Sequence, residues 1–258
     1  MSEIDSRAAV SPRARLGAGV RVGPFAVIGD DVELGAGCVV MANAVLQGPA
    51  RIGAANIFHP SCSIGGDPQD LKYAGERTEL VVGDENTFRE FVTINRGTGA
   101  SGATRIGSHN LFMAYAHVAH DCNVGDRTIF ANGATLAGHV DVHDHATVGA
   151  YCTIHQFTRI GRYAYIGALT ALVKDAPPFS LIVAEREVHC YGANSVGIER
   201  AGFGTERTQT VERAFRLLLR AKLNTTQAVA ELRAQFGDSE DVRELVEFIE
   251  SSKRGVIK

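Results

Sequence analysis

The sequence predicts a mainly β protein built as a three-sided solenoid and followed by a helical tail. Three observations carry this expectation: an aliphatic residue at every sixth position, a small residue usually four positions later, and a switch to helical periodicity from about Asn194. A six-residue period matches neither the turn of a helix, about 3.6 residues, nor the simple alternation of an isolated strand. It fits a prism whose short sides each point one aliphatic residue inward.

The grid of aliphatic positions starts at Ile4 and runs in steps of six to Ile64, resumes at Val82, Phe88 and Ile94, and continues from Ile106 to Leu172. Of its 29 positions, 26 are Ile, Leu, Val or Phe; the exceptions, Asp70, Glu76 and Ala100, fall in segments that read as loops. Three sides of six residues make a coil of 18. Coils stacked about 4.8 Å apart would give a rod of roughly nine or ten coils. Gly often follows the aliphatic, as in "VGD" and "IGR", and is read as the residue that lets the backbone bend tightly.

Five cysteines with no C-x-x-C pair support neither a disulfide framework nor a zinc ribbon. Cys38, Cys62, Cys122 and Cys152 occupy the small inward position, so they read as core thiols. Cys122 is therefore a poor nucleophile candidate.

Two segments interrupt the grid, near residues 65–80 ("GGDPQDLKYAGERTEL") and 95–105 ("NRGTGASGATR"). Loops leaving a rigid scaffold are favoured places for function. The grid ends near "DAPPF", where Pro177 and Pro178 stop regular pairing. The expected domains are a solenoid over residues 1–190 and a helical domain over 191–258. Within the tail, "TERTQTVERAFRLLLRAKL" places Val211, Phe215, Leu218 and Leu219 on one helical face with Thr205 as a cap, and two further helices follow. Such a tail would cover the open end of the rod.

The net charge of -3, with 26 basic and 29 acidic residues mixed along the chain, gives no reason to expect nucleic acid as a partner. The first residues lack the order of a secretory signal and no 18-residue apolar run follows. A soluble cytoplasmic protein without membrane insertion is expected.

Residues 18 apart lie above one another in such a rod, so sequence separation becomes proximity. His120 stacks with Gly138 and Gln156, which brings their neighbours His139 and His155 to the same corner, while His117 stacks with Thr135 and Thr153 along a neighbouring edge. Asp121 adjoins His120 and can orient its ring, and a backbone N–H at Gly138 can face it. That set is a base with an oxyanion donor, lacking only a nucleophile of its own.

The repeat resembles the hexapeptide-repeat family, whose members fold as left-handed parallel β-helices; the hand comes from the resemblance. More closely, "DLKYAGE" (70–76), "NLFMAYAHVAHDCNVG" (110–125), "TLAGHV" (135–140), "IHQF" (154–157) and "DAPPF" resemble, in this order, the UDP-N-acetylglucosamine O-acyltransferase family of lipid A biosynthesis. The resemblance implies that His120 removes the proton from the sugar 3-hydroxyl as it attacks the thioester of a 3-hydroxyacyl-acyl carrier protein. Asp121 would hold the ring and the Gly138 N–H would receive the oxyanion. It implies that Asp70, Lys72, His117 and His139 line the glucosamine or acyl-phosphopantetheine pocket, with His155 and Gln156 towards the nucleotide. Asn194 and Arg200 match the nucleotide-binding segment, and Ala168 matches the position that limits acyl length. It further implies a homotrimer with sites between neighbouring rods, no cofactor and no metal. Arg213, Arg216, Arg220 and Lys222 are candidates to meet the acidic carrier protein.

Some positions depart from the family pattern. Asn95 stands where some relatives have histidine, and Val196 and Ala201 stand where some carry Glu and a second Arg. Three other readings remain open. The same site can acylate a 3-amino sugar analogue to give an amide. A zinc lyase of the γ-carbonic-anhydrase type would use His117, His120 and His139 as ligands. A non-catalytic scaffold would make the His120, Asp121 and Gly138 alignment a coincidence.

Overall fold

The six-residue period becomes a run of very short parallel strands, most of them two residues long, as at Val39–Val40 and Thr135–Leu136. The computed structural model describes residues 2–183, 190, 192, 193, 195–200, 202–219 and 223–251. Within these the strands form three parallel sheets of 10, 9 and 8 members, each strand pairing with those of the coils above and below. The architecture is the left-handed parallel β-helix expected, followed by helices. The chain divides into two units, Met1–Glu185 and Arg186–Lys258.

The register explains why the grid keeps its phase across the interruptions. Val22 pairs with Val40 and Val118 with Leu136, each 18 residues on. Across the first insertion Phe58 pairs with Phe88 and Ile64 with Ile94, a separation of 30. Across the second, Phe88 pairs with Phe112 and Ile94 with Val118, a separation of 24. The insertions thus lengthen one coil by twelve residues and another by six, whole multiples of the repeat. Every later aliphatic still points inward.

Two ladders run through the core. Phe58, Phe88, Phe112 and Phe130 are fully buried and stack at successive centroid distances of 5.1, 5.1 and 4.8 Å. Beside them runs a polar ladder that the periodicity did not reveal. The Asn56 Oδ1 accepts from both the N–H and the Nδ2 of Asn86, at 2.9 Å each. The Asn86 Oδ1 accepts from the Asn110 N–H, and the Asn110 Oδ1 accepts from the Thr128 N–H and hydroxyl. These side chains satisfy backbone groups that the bend would otherwise bury unpaired, and so pin the vertical register.

Cys38, Cys62, Cys122 and Cys152 are all buried and free. The Cys122 thiol donates to the Ala137 carbonyl at 3.1 Å, and burial pushes it up to about 12.

The glycines after the aliphatics have a different reason from the one expected. The left-handed residues of the turns lie two positions further on and are mostly not glycine: Glu85, Arg127 and Tyr163 have φ of 57°, 56° and 57°. The glycine is required by the next coil instead. A Cβ at Gly53 would lie 2.1 Å from Asp84 Oδ1, and one at Gly125 would lie 2.2 Å from Asp144 Oδ1. Those carboxylates accept the N–H groups of Ala54 and Asp126, so glycine clears the way for a capping bond between coils.

In the second unit, α1 (Ser195–Arg200) precedes three longer helices, α2 (Thr205–Leu218), α3 (Thr225–Phe236) and α4 (Glu240–Ser251). The short helix α1 falls within the segment expected to be helical, ahead of the three helices read from the tail. Thr205 is not the cap of α2; Gly204 stands there without a side-chain bond. Of the face expected for α2, Leu218 is buried, but Val211, Phe215 and Leu219 are half-buried, and Ala214 and Leu217 are buried beside Leu218. The helix packs on both α3 and α4, so its contact face is wider than a single stripe. Asn224 caps α3 in a reciprocal box with Gln227. Among the described residues no helix is long and apolar enough to cross a membrane.

Candidate active site

The corner that holds His120 is built from a left-handed column. Asp121, His139 and Phe157 occupy equivalent turn positions in successive coils, with φ of 59°, 60° and 63°. The backbone ties them together: the His139 N–H donates to the His120 carbonyl and the Phe157 N–H to the Gly138 carbonyl. Stacking of residues 18 apart therefore holds here, as it does for His117, Thr135 and Thr153 on the adjacent strand edge.

His120 Nδ1 lies 2.7 Å from Asp121 Oδ2, with the histidine side chain 13% exposed and the aspartate side chain 0%. Asp121 is held from the other side by the second insertion. Its carboxylate accepts the Thr98 N–H at 2.9 Å, the Thr98 hydroxyl at 2.7 Å and the Ser101 hydroxyl. Its own N–H donates to Thr104 Oγ1 at 2.8 Å. Burial acts to raise the carboxyl's proton affinity, but the bonds from Ser101, His120 and Thr98 outweigh it and hold the group well below the usual carboxylate range. An ionised carboxylate can only accept. The proton in that bond therefore sits on His120 Nδ1, and in the neutral ring Nε2 carries the free lone pair.

Gly138 packs against that free edge. A Cβ on it would lie 2.6 Å from His120 Cε1 and 2.8 Å from Nε2. Its N–H has no acceptor among the described residues. His139 meets the His120 ring edge-on at 5.2 Å, brings Nε2 to 3.6 Å from Asp121 Oδ2, and is stacked on Phe157 at 4.6 Å. His117 bonds through Nδ1 to the Thr93 hydroxyl at 2.7 Å; burial, and then the neighbouring His120, push its imidazole below the ordinary value.

His120, Asp121, Gly138, His139 and His117 thus come together, and Thr98, Ser101 and Thr104 join them without any signal in the repeat. Asp70 and Lys72 are on the first insertion, where Asp70 Oδ1 accepts the Lys72 N–H. Arg96, buried at 8% exposure, ties that insertion to the second by donating to the Gly65 carbonyl, Asp67 and the Tyr73 hydroxyl. Asn95 is buried beside it, with Oδ1 unpaired. His155 is exposed with Nδ1 3.0 Å from the Gln156 carbonyl oxygen, and Gln156 and Ala168 are exposed too. Asn194, Ala201, Arg220 and Lys222, and the side chains of Val196 and Arg200, lie outside the described residues.

Ligand atoms of His120, Asp121 and His139 lie within 4.8 Å of one another, a set differing from the three histidines of the zinc reading. Tetrahedral zinc with bonds of about 2.1 Å would space its donors by roughly 3.4 Å. The 2.7 Å between Nδ1 and Oδ2 is instead the length of an N–H···O bond. Three further donors already occupy the carboxylate. The donor set fits a proton network better than an ion.

Family models match the chain in both units: the bacterial transferase hexapeptide model over residues 13–48 and 103–138, and domain 2 of UDP-N-acetylglucosamine O-acyltransferase over residues 175–257. A curated relative from Halorhodospira halophila, named acyl-[acyl-carrier-protein]--UDP-N-acetylglucosamine O-acyltransferase, is 48% identical, with both chains covered in full. The chain belongs to the UDP-N-acetylglucosamine O-acyltransferase family. A relative of the same name from Thermodesulfovibrio yellowstonii is 43% identical, again over the whole of both chains. Among solved members of this acyltransferase family, LpxA from Acinetobacter baumannii is 37% identical, with 99% of each chain covered and a TM-score of 0.70.

Proposed function

We propose that this chain transfers a 3-hydroxyacyl group from acyl carrier protein to the 3-hydroxyl of UDP-N-acetylglucosamine, the opening step of lipid A biosynthesis, with His120 as general base. The observation that carries the mechanism is the 2.7 Å bond from His120 Nδ1 to an ionised, fully buried Asp121, which leaves Nε2 as the basic atom. Full-length identity of 43–48% to acyltransferases named for this donor and acceptor supports the choice of substrates.

In the reaction, Nε2 takes the proton as the sugar oxygen forms a bond to the thioester carbonyl carbon. The carbonyl electrons move to oxygen, where the Gly138 N–H is the available donor. Collapse re-forms the carbonyl and breaks the C–S bond, and the imidazolium returns the proton to the departing phosphopantetheine sulfur. A positioned base contributes about 10²–10⁴-fold in rate, and an oxyanion donor roughly 3–4 kcal/mol. Asp121 stabilises the imidazolium formed in between. His139 and His117 flank the acceptor, with Asp70, Lys72, His155, Gln156, Asn194 and Arg200 as further substrate contacts and Ala168 setting the acyl length. The working unit is a cytoplasmic homotrimer that needs neither cofactor nor metal and is not inserted in a membrane.

Mass spectrometry of the products formed from UDP-N-acetylglucosamine, its 3-amino analogue and a ladder of hydroxyacyl carriers tests the substrate assignment. Ester formation on the hydroxyl sugar is expected, and exclusive amide formation on the amino sugar would overturn it. His120→Ala is expected to stay folded and lose nearly all transfer. Activity lost to chelators, with stoichiometric zinc in the purified protein, would replace this mechanism by a metal-dependent one.

A further inference from the structure

The second insertion leaves the coil at Asn95, returns at Thr104, and on the way places two hydroxyls and one N–H on a single buried carboxylate. Resting on the reading of His120 as the base, we propose that Thr98 and Ser101 are positioning residues of the reaction. Acting through Asp121, they fix both the aim and the basicity of the imidazole.

The loop also carries Arg96, which ties it to the first insertion, and Ser101 Oγ lies 2.9 Å from the Ala103 carbonyl oxygen, yet its two hydroxyls converge on Asp121. Gly99 and Ala100 at its tip are exposed, whereas Thr98 is buried at 7% exposure and points its hydroxyl inward at Asp121 Oδ2, the same oxygen that binds His120. Ser101 bonds to the other oxygen, Oδ1, which also takes the Thr98 N–H. The Ala100 N–H in turn donates to Thr98 Oγ1 at 3.2 Å, so the hydroxyl is locked as a donor towards the carboxylate. Four donors therefore surround one ionised group, and only one of them is the catalytic ring.

Two consequences follow from elementary electrostatics. With its remaining lone pairs engaged, the carboxylate is held in one orientation, and the Nδ1 edge of the His120 ring is held with it. Each hydroxyl also turns its positive end towards Asp121, which weakens the negative potential felt at the imidazole. Removing a hydroxyl concentrates that potential and favours the imidazolium, so more of the enzyme is protonated and idle at a given acid pH. Among the described residues, the charged or titratable groups shown to act on His120 are Asp121 on its own coil, His139 on the next coil and His117 on the preceding strand; the loop groups bonded to Asp121 are neutral, and Arg96 turns instead to Gly65, Asp67 and Tyr73. Thr98 and Ser101 are thus parts of the site that can be altered without changing its charge.

The test compares pH profiles of kcat/KM for the full-length enzyme with those of Ser101→Ala, Thr98→Val and Thr98→Ser. Ser101→Ala and Thr98→Val are expected to lower kcat by about tenfold. They should shift the acid limb of the profile upward by about half a pH unit, with KM for both substrates little changed. Thr98→Ser, which keeps the hydroxyl, should restore rate and limb together. A fall in rate with an unmoved limb, a rise in KM at constant kcat, or a Thr98→Ser enzyme as impaired as Thr98→Val would each overturn the proposal. Thermal melts of each variant separate lost fold from lost chemistry, and Ser101→Ala removes only one hydroxyl from a loop. An active His120→Ala enzyme would overturn the base itself. An inactive one, combined with unmoved limbs in the loop variants, would overturn only the role of the loop.

Discussion

The space that a side chain of Gly138 would fill is taken by the imidazole of His120, whose Cε1 lies 2.6 Å from where a Cβ would stand. Glycine is therefore needed at this position for clearance, whatever its N–H does in the reaction. Gly138 is not among the residues with positive φ, so its backbone accepts an alanine. The collision is with a side chain that can swing, not with the main chain. Gly138→Ala is expected to fold normally and to push the His120 ring off Asp121, lowering kcat by at least about 100-fold. Circular dichroism and steady-state rates check this, and near-normal turnover would show that the ring has another productive place.

Asp121 links catalysis to acid stability. Its carboxyl is held well below the usual range in the folded chain, by donors that together exceed the cost of burial. A group with a depressed folded value contributes stability that is complete above the unfolded value, near about pH 4, and is lost as pH falls through the folded one. Asp121→Asn should therefore be less stable than the parent at neutral pH, with the gap closing on acidification. It should also lose at least about 100-fold in kcat, because an amide cannot stabilise the imidazolium. Denaturant melts at several pH values measure the first effect. A stability gap independent of pH would contradict it.

Cys122 sits one residue from this carboxylate but faces the core, with its thiol pushed up to about 12 by burial. A thiol so shifted stays protonated at neutral pH, so Cys122 is expected to act neither as a nucleophile nor as a target for thiol reagents. Cys122→Ala should retain activity and cost roughly 1 kcal/mol of stability for the small cavity left. Alkylation followed by mass spectrometry of the native enzyme should leave this residue unmodified; rapid modification would mean that the corner opens.

The asparagine ladder predicts a large stability effect far from any chemistry. Removing Asn86 Nδ2 and Oδ1 strands the buried Asn110 N–H and the half-buried Gly107 carbonyl and removes one bond to the buried Asn56. Each buried group left unpaired costs about 1–3 kcal/mol, so Asn86→Ala should lose several, about 3 kcal/mol or more. A urea midpoint within error of the parent would show that other groups can take over these bonds.

How much of this was legible in the chain itself follows from what repeats. The six-residue grid is a local rule: each aliphatic must point inward wherever the preceding coil places it. The sequence alone therefore determined the solenoid, the buried cysteines and the vertical meeting of His120 with Gly138 and His117 with Thr135. It also determined that the insertions leave the phase intact, since Phe58, Phe88 and Phe112 all stay on the grid.

Contacts outside the repeat were decided by the tertiary structure. The glycine of "VGD" reads as a bend, but only the neighbouring coil shows that it clears a capping carboxylate from Asp144. Asn56 and Asn86 are 30 residues apart, and their pairing depends on how the first insertion closes. Thr98 and Ser101 carry no periodic signal, because a loop's path is set by the groups it can satisfy, here the Asp121 carboxylate. A linear repeat dictates what stacks on what, since its spacing is fixed by backbone hydrogen bonding. Which polar groups converge from excursions is dictated by the folded surface on which they land.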